Sequence, residues 1–167
     1  MEAKVSIIMG STSDLPVMEE AAKILNDLQI PFELNALSAH RTPEEVEKFA
    51  KAASERGLMV IIAGAGMAAH LPGVIASMTN IPVIGVPIKA TLEGWDSLLS
   101  IVQMPPGIPV ATVGINGARN AGILAAQILA LSDKELQAKL NKFKESLKEK
   151  IKKANKKLED IKFDYKV

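Results

Sequence analysis

At 167 residues, 48% hydrophobic and 23% charged, the chain is sized for one domain with a real core, which excludes a disordered polypeptide. It has no cysteine, hence no disulfide frame or thiolate chemistry, and no apolar run reaches the roughly 18–20 residues of a membrane span. Net charge is +1, but residues 141–167 hold ten Lys against five acids, so that this stretch carries +5 and the remainder −4.

Lys4–Met9 is a short β-branched run closed by Gly10, which predicts a buried strand. Asp14–Leu28 has helical spacing through Val17, Ala21, Ile24, Leu25 and Leu28, and Pro31–Leu37 predicts a second strand. Thr42-Pro43-Glu44-Glu45 marks a helix start: Thr as the cap, Pro in the first turn, acids at the positive end of the dipole. Gly57 closes that helix, and Leu58–Ala63 predicts a third strand, followed by Gly64-Ala65-Gly66 and a helix of small residues.

Pro82–Pro87 and Pro109–Ile115 predict two further buried strands, separated by a helix over 94–103 and a turn at Met104-Pro105-Pro106-Gly107. Ala118–Leu131 is almost free of charge and is expected to be buried on nearly every side. From Asp133, Leu136, Leu140, Phe143, Leu147, Ile151, Ala154, Leu158 and Ile161 recur three or four apart, a long amphipathic helix with one narrow apolar seam. Its Lys residues alternate with Glu and have no aromatic platform beside them, so we expect a solvated helix and no nucleic-acid partner.

Five apolar strands alternating with helices indicate an α/β fold with a parallel sheet covered on both faces. We expect a single domain over 1–167, with a core at about 4–131 and a helical extension at about 133–163. A domain this small cannot bury both the 118–131 helix and the last seam, which predicts a homo-oligomer. The simplest expectation for location is the cytoplasm, with no membrane partner.

Ligands of open parallel sheets bind beyond the carboxyl ends of the strands, near the point where strand order reverses. Three polar segments follow the first three strands: Gly10-Ser11-Thr12-Ser13-Asp14, Ser38-Ala39-His40-Arg41-Thr42-Pro43, and Gly64-Ala65-Gly66-Met67-Ala68-Ala69-His70. All three are expected at one rim. The first offers hydroxyls and free N–H groups to an anion, with Asp14 as either a helix cap or a holder of ribose hydroxyls. Arg41 has a charged fork suited to phosphate.

His40 and His70 are the only histidines, and each is a candidate acid/base or a structural side chain. No third ligand stands at a useful spacing, so no metal site is expected. Gly64–Ala69 fits G-x-G-x-x-A, but it follows the third strand and no acid lies about 20 positions on to hold a ribose. A flavin- or nucleotide-binding module is the distant alternative that this match motivates.

MGSTSD at 9–14, SAHRTP at 38–43, AGAGMAAHLPG at 63–73 and SLLSIVQMPPGIPVATVGI at 97–115 together resemble the PurE family, over about residues 4–131. The resemblance implies a flavodoxin-like three-layer sandwich, assembled as octamers with sites where subunits meet. The implied activity is that of a 5-(carboxyamino)imidazole ribonucleotide mutase of purine biosynthesis, an isomerase that needs no ATP, biotin or metal, hence no cofactor. A branch that carboxylates aminoimidazole ribonucleotide directly with carbon dioxide is the alternative; AAHLPG here resembles the mutase branch. By the same resemblance Ser11, Ser13, Asp14, Ser38 and Arg41 hold the ribose phosphate, and His40 is the proton shuttle. Gly64, Ala65, Gly66, His70 and Leu71 belong to the loop that encloses the base and the migrating carboxylate. Three departures stand out: Met67 where the family usually has Gly, a stretch at 89–94 one residue shorter than in many bacterial relatives, and the Lys-rich tail.

Overall fold

The computed structural model describes residues 2–167. Five parallel strands, β1 (Val5–Met9), β2 (Phe32–Ala36), β3 (Val60–Gly66), β4 (Val83–Ile88) and β5 (Ala111–Thr112), form one sheet in the order β2-β1-β3-β4-β5. This is the doubly wound, flavodoxin-like order, and it reverses between β1 and β3. Helices α1 (Leu15–Asp27), α2 (Pro43–Ala52), α3 (Leu71–Ala76), α4 (Trp95–Val102), α5 (Ala118–Leu129) and α6 (Lys134–Glu159) complete the chain.

Side chains alternate across a strand, so β1, β3 and β4 each feed two cores. Val5, Ile7 and Met9 of β1 pack with Ile62, Ile84 and Val86 against α1 and α5, through Met18, Ile24, Ala121 and Ala125. Ile8, Ile61 and Ala63 face the opposite way and meet Val46 and Phe49 of α2, Ile75 of α3 and Ile101 of α4. The result is a three-layer sandwich in which β1, β3 and β4 are buried throughout apart from Gly66.

Several elements depart from expectation for identifiable reasons. β2 is an edge strand, and its residues are partly or wholly exposed. β5 pairs over only two residues, although the chain continues beside β4: the N–H groups of Val113 and Asn116 donate to Gly85 O (3.1 Å) and Pro87 O (2.8 Å). The Gly64-Ala65-Gly66 segment is not a loop but the end of β3, in register with Val86, Pro87 and Ile88. Thr42 starts α2 without a side-chain cap, because its hydroxyl is engaged with Ser38.

Helix α5 buries Ala118, Ala121, Gly122, Ala125, Ala126 and Leu129 but exposes Arg119, Asn120 and Gln127, so one face is wet. At Gly122 the helices α1 and α5 approach so closely that an added Cβ would lie 2.4 Å from Ile24 Cγ2. Helix α6 is capped by Asp133, whose carboxylate accepts from the Leu136 N–H (3.0 Å). Its first turns dock through Leu136 and Leu140, each worth about 1.5–3 kcal/mol of burial. Beyond Phe143 the seam leaves the domain, and Leu147, Ile151 and Leu158 are exposed.

Candidate active site

The segments that follow β1, β2 and β3 converge on one cleft of about 440 Å³ at the carboxyl end of the sheet. Its walls include Ser11, Ser13, Asp14, Ser38, His40, Arg41, Ala65, Gly66, His70 and Leu71. Gly64 does not line it. It sits inside β3, where a Cβ would fall 2.3 Å from Met18 Sδ and 3.1 Å from Ile88 Cδ1, so its smallness serves the core.

The second segment, from Ser38 to Thr42, is a closed knot. The Thr42 N–H and hydroxyl both donate to Ser38 O (2.8 and 3.1 Å), and the Ser38 N–H returns a bond to Thr42 Oγ1 (3.0 Å). Ser38 Oγ accepts from the Arg41 N–H (3.2 Å) and from Arg41 Nε (3.3 Å). Arg41 Nη2 then donates to Gly10 O (2.9 Å), tying the β2 segment to the β1 segment. Among the described residues Arg41 forms no ion pair, which leaves its charge for an anionic ligand.

In the β1 segment Ser11 caps a short 3-10 turn over Thr12–Asp14, its Oγ accepting from the Ser13 N–H (3.3 Å). Asp14 does not cap α1: its backbone is already helical and its side chain makes no cap bond. Partial burial raises the Asp14 carboxyl above its ordinary value, against the opposing pull of a backbone hydrogen bond at Ser11 and the charge of Arg41. A carboxylate held short of full solvation beside a guanidinium suits hydroxyl donors on a ligand.

His40 and His70 meet directly, with His40 Nε2 2.8 Å from His70 Nδ1 and the ring planes at 83°. Both residues are exposed. The contact requires a proton on one of the two nitrogens and a lone pair on the other. Among the described residues no group of three or more His, Asp or Glu is placed to hold a metal ion.

Ala39 and Ala68 line the cleft within the segments expected at its rim, whereas sequence reasoning did not place Ala90 there. Ala90 follows β4, held by the bond from the Lys89 N–H to Asn116 Oδ1 (2.9 Å), and the strand-end rule applied to a fourth strand would have found it. Met67 adopts φ 56°, a left-handed backbone in which Gly is at ease and Met is not, and its side chain stands exposed at the cleft.

Comparison with known proteins agrees with this architecture. Residues 4–150 match the family model described as AIR carboxylase. An N5-carboxyaminoimidazole ribonucleotide mutase of Pyrococcus abyssi is 64% identical over 146 residues, covering 87% of this chain and 84% of the relative. The mutase of that name from Thermotoga maritima is 57% identical, covering 95% and 93%. A phosphoribosylaminoimidazole carboxylase of Schizosaccharomyces pombe is 56% identical over 94% of this chain, which spans 29% of that longer protein. A crystal structure of Treponema denticola PurE superposes with a TM-score of 0.82 at 31% identity, covering 92% of this chain and 97% of the other. A match that takes in all five strands and every loop of the cleft makes the chain a member of the AIR carboxylase family.

Proposed function

We propose that this chain is an N5-carboxyaminoimidazole ribonucleotide mutase of de novo purine (IMP) biosynthesis. It is an isomerase that moves a carboxylate from the exocyclic nitrogen of the substrate to a ring carbon. Relatives of that name match most of both chains at 57–64% identity, which supports the reading. The observation that carries it is the gathering of an imidazole, a guanidinium that forms no ion pair among the described residues, and a set of hydroxyls in one cleft at the strand-order switch.

Ser11, Ser13, Asp14, Ser38 and Arg41 hold the ribose phosphate, and Ala65, Gly66, His70 and Leu71 enclose the base. His40 gives a proton to the carbamate nitrogen; the N–C bond breaks with its electron pair on nitrogen, and carbon dioxide is released within the cleft. The electron-rich ring carbon then attacks it, forming the C–C bond, and the ring C–H proton returns to His40. One imidazole serves both transfers, and the protons balance. The direct carboxylase reading is weaker, because the yeast relative with that name contains this chain as less than a third of its length.

Carbon dioxide must be retained between the two steps, yet His40 and His70 are open to solvent in a single chain. A homo-oligomer closes the cleft with a second copy, an octamer by the family resemblance, acting in the cytoplasm. The exposed apolar side chains of Trp95, Leu99 and Val102 on α4, and of Leu147, Ile151 and Leu158 on α6, support such contacts. A monomer by light scattering at micromolar concentration would contradict the assembly.

The decisive assay supplies purified protein with the N-carboxylated ribonucleotide in the absence of ATP and follows the carbon-carboxylated isomer. His40→Asn is expected to keep its fold and lose turnover by about 10²–10⁴-fold, the usual worth of a general acid/base. A fully active His40→Asn protein, or a strong preference of the parent for free carbon dioxide with aminoimidazole ribonucleotide, would overturn the proposal.

A further inference from the structure

We propose that His70 is a positioning residue whose Nδ1 accepts the proton on His40 Nε2, so that His40 Nδ1 is the nitrogen that exchanges protons with the substrate. This rests on the mutase reading above and specifies its proton path.

The two rings are brought together by segments 30 residues apart in the chain. His40 is fixed by the Ser38–Thr42 knot around it. His70 lies at the entrance to α3, its N–H donating to Ala68 O (2.8 Å) and its carbonyl accepting from the Val74 N–H (3.0 Å), with Ala69 buried beside it. Neither backbone is free to swing, so the 2.8 Å contact is a property of how the two loops are built.

The direction of the hydrogen bond follows from the chemistry. In the step where it donates, His40 carries a proton on both ring nitrogens. If His70 also held a proton on Nδ1, two N–H groups would point at each other across 2.8 Å. His70 therefore presents a lone pair at Nδ1 and keeps its own proton on Nε2. The Nε2 proton of His40 then stays in place through both transfers, and only Nδ1 gains and loses one. An acceptor behind one nitrogen that fixes tautomer and ring orientation for work at the other is the arrangement general to acid/base histidines.

The test uses two variants of the full chain. His70→Asn keeps a polar atom close to the place of Nδ1; His70→Leu keeps the bulk and removes the acceptor. His70→Leu is expected to lower kcat about 10–100-fold, beyond any change in KM from its place in the cleft wall, and His70→Asn to recover most of kcat. Solid-state ¹⁵N spectra of histidine-labelled protein contain only four ring nitrogens, since the chain has two histidines. They are expected to show His40 protonated at Nε2 in the parent and a mixture of tautomers in His70→Leu.

An unchanged kcat in His70→Leu, an effect confined to KM, or an equal loss in both variants would each overturn the positioning role. A proton found on His70 Nδ1 would overturn the direction of the bond. If the parent isomerises nothing, the mutase reading fails while the spectra still report on the pair, so the two failures are distinguishable.

Discussion

Replacing Gly122 by Ala tests how closely α1 and α5 are packed. The new Cβ would lie 2.4 Å from Ile24 Cγ2, 3.1 Å from Ala21 O and 3.3 Å from Ala21 Cα. Carbon atoms rest about 3.5–4.0 Å apart, so the first contact is short by more than about 1 Å. Ile24 cannot turn aside: it is buried, and a β-branched side chain in a helix has essentially one χ1 rotamer. The other two atoms belong to backbone. The helices must therefore separate, and overpacking of this kind costs about 1–3 kcal/mol. Replacing Gly by Ala within a helix returns about 0.8–1.0 kcal/mol through propensity. We expect a net loss of about 1–2 kcal/mol, near the upper part of that balance because backbone blocks the far side. For a chain of this length, that lowers Tm by roughly 2–8 °C. Urea unfolding at fixed protein concentration measures it, with Gly114→Ala as the control, since a Cβ at Gly114 meets nothing within 4 Å. A Gly122→Ala midpoint equal to or above the parent's would refute the packing account.

Two further outcomes concern the cleft. The folded Asp14 carboxyl keeps its proton to higher pH than the ordinary value of 3.8, so its ionised form at neutral pH is a small liability, and one that fades as pH falls through the raised value toward 3.8. Asp14→Asn is therefore expected to unfold at slightly higher urea than the parent at pH 7 but not near pH 4; a lower midpoint at pH 7 would contradict the desolvation argument. Arg41→Lys loses the fork that reaches both Ser38 Oγ and Gly10 O, and we expect KM to rise about 10–100-fold, the worth of one charge-assisted hydrogen bond, with Tm nearly unchanged because the side chain is exposed. Steady-state kinetics showing an unchanged KM would remove Arg41 from the proposed phosphate site.

The strands and helices were legible where burial writes a period into the chain. VIGVPI is a continuous apolar run, and VSIIM is one broken only by Ser6, because β1 and β4 are covered on both faces. The Gly-rich end of β3 was misleading, since Gly64 is small for Met18 and Ile88 rather than for a turn. β5 was overestimated because an apolar composition cannot show where a ladder stops, and the chain beyond Thr112 keeps only isolated bonds to β4. The convergence of the strand-end segments followed from a topological rule. The His40–His70 contact did not, because no local pattern links residues whose meeting depends on the height of two loops above the sheet. Asp14 and Thr42 each had the residue type of a helix cap, and neither uses its side chain as one.

The Ser38–Thr42 knot has one further consequence. Its internal bonds all join residues four or fewer positions apart, so the curvature of this turn depends little on the remainder of the molecule. A ligand arriving there would meet an imidazole and a guanidinium whose spacing was settled at folding, with little torsional freedom surrendered at the encounter. A thermal fluctuation that loosens α2 further along can leave that spacing intact, which makes the five-residue turn a tolerant mount.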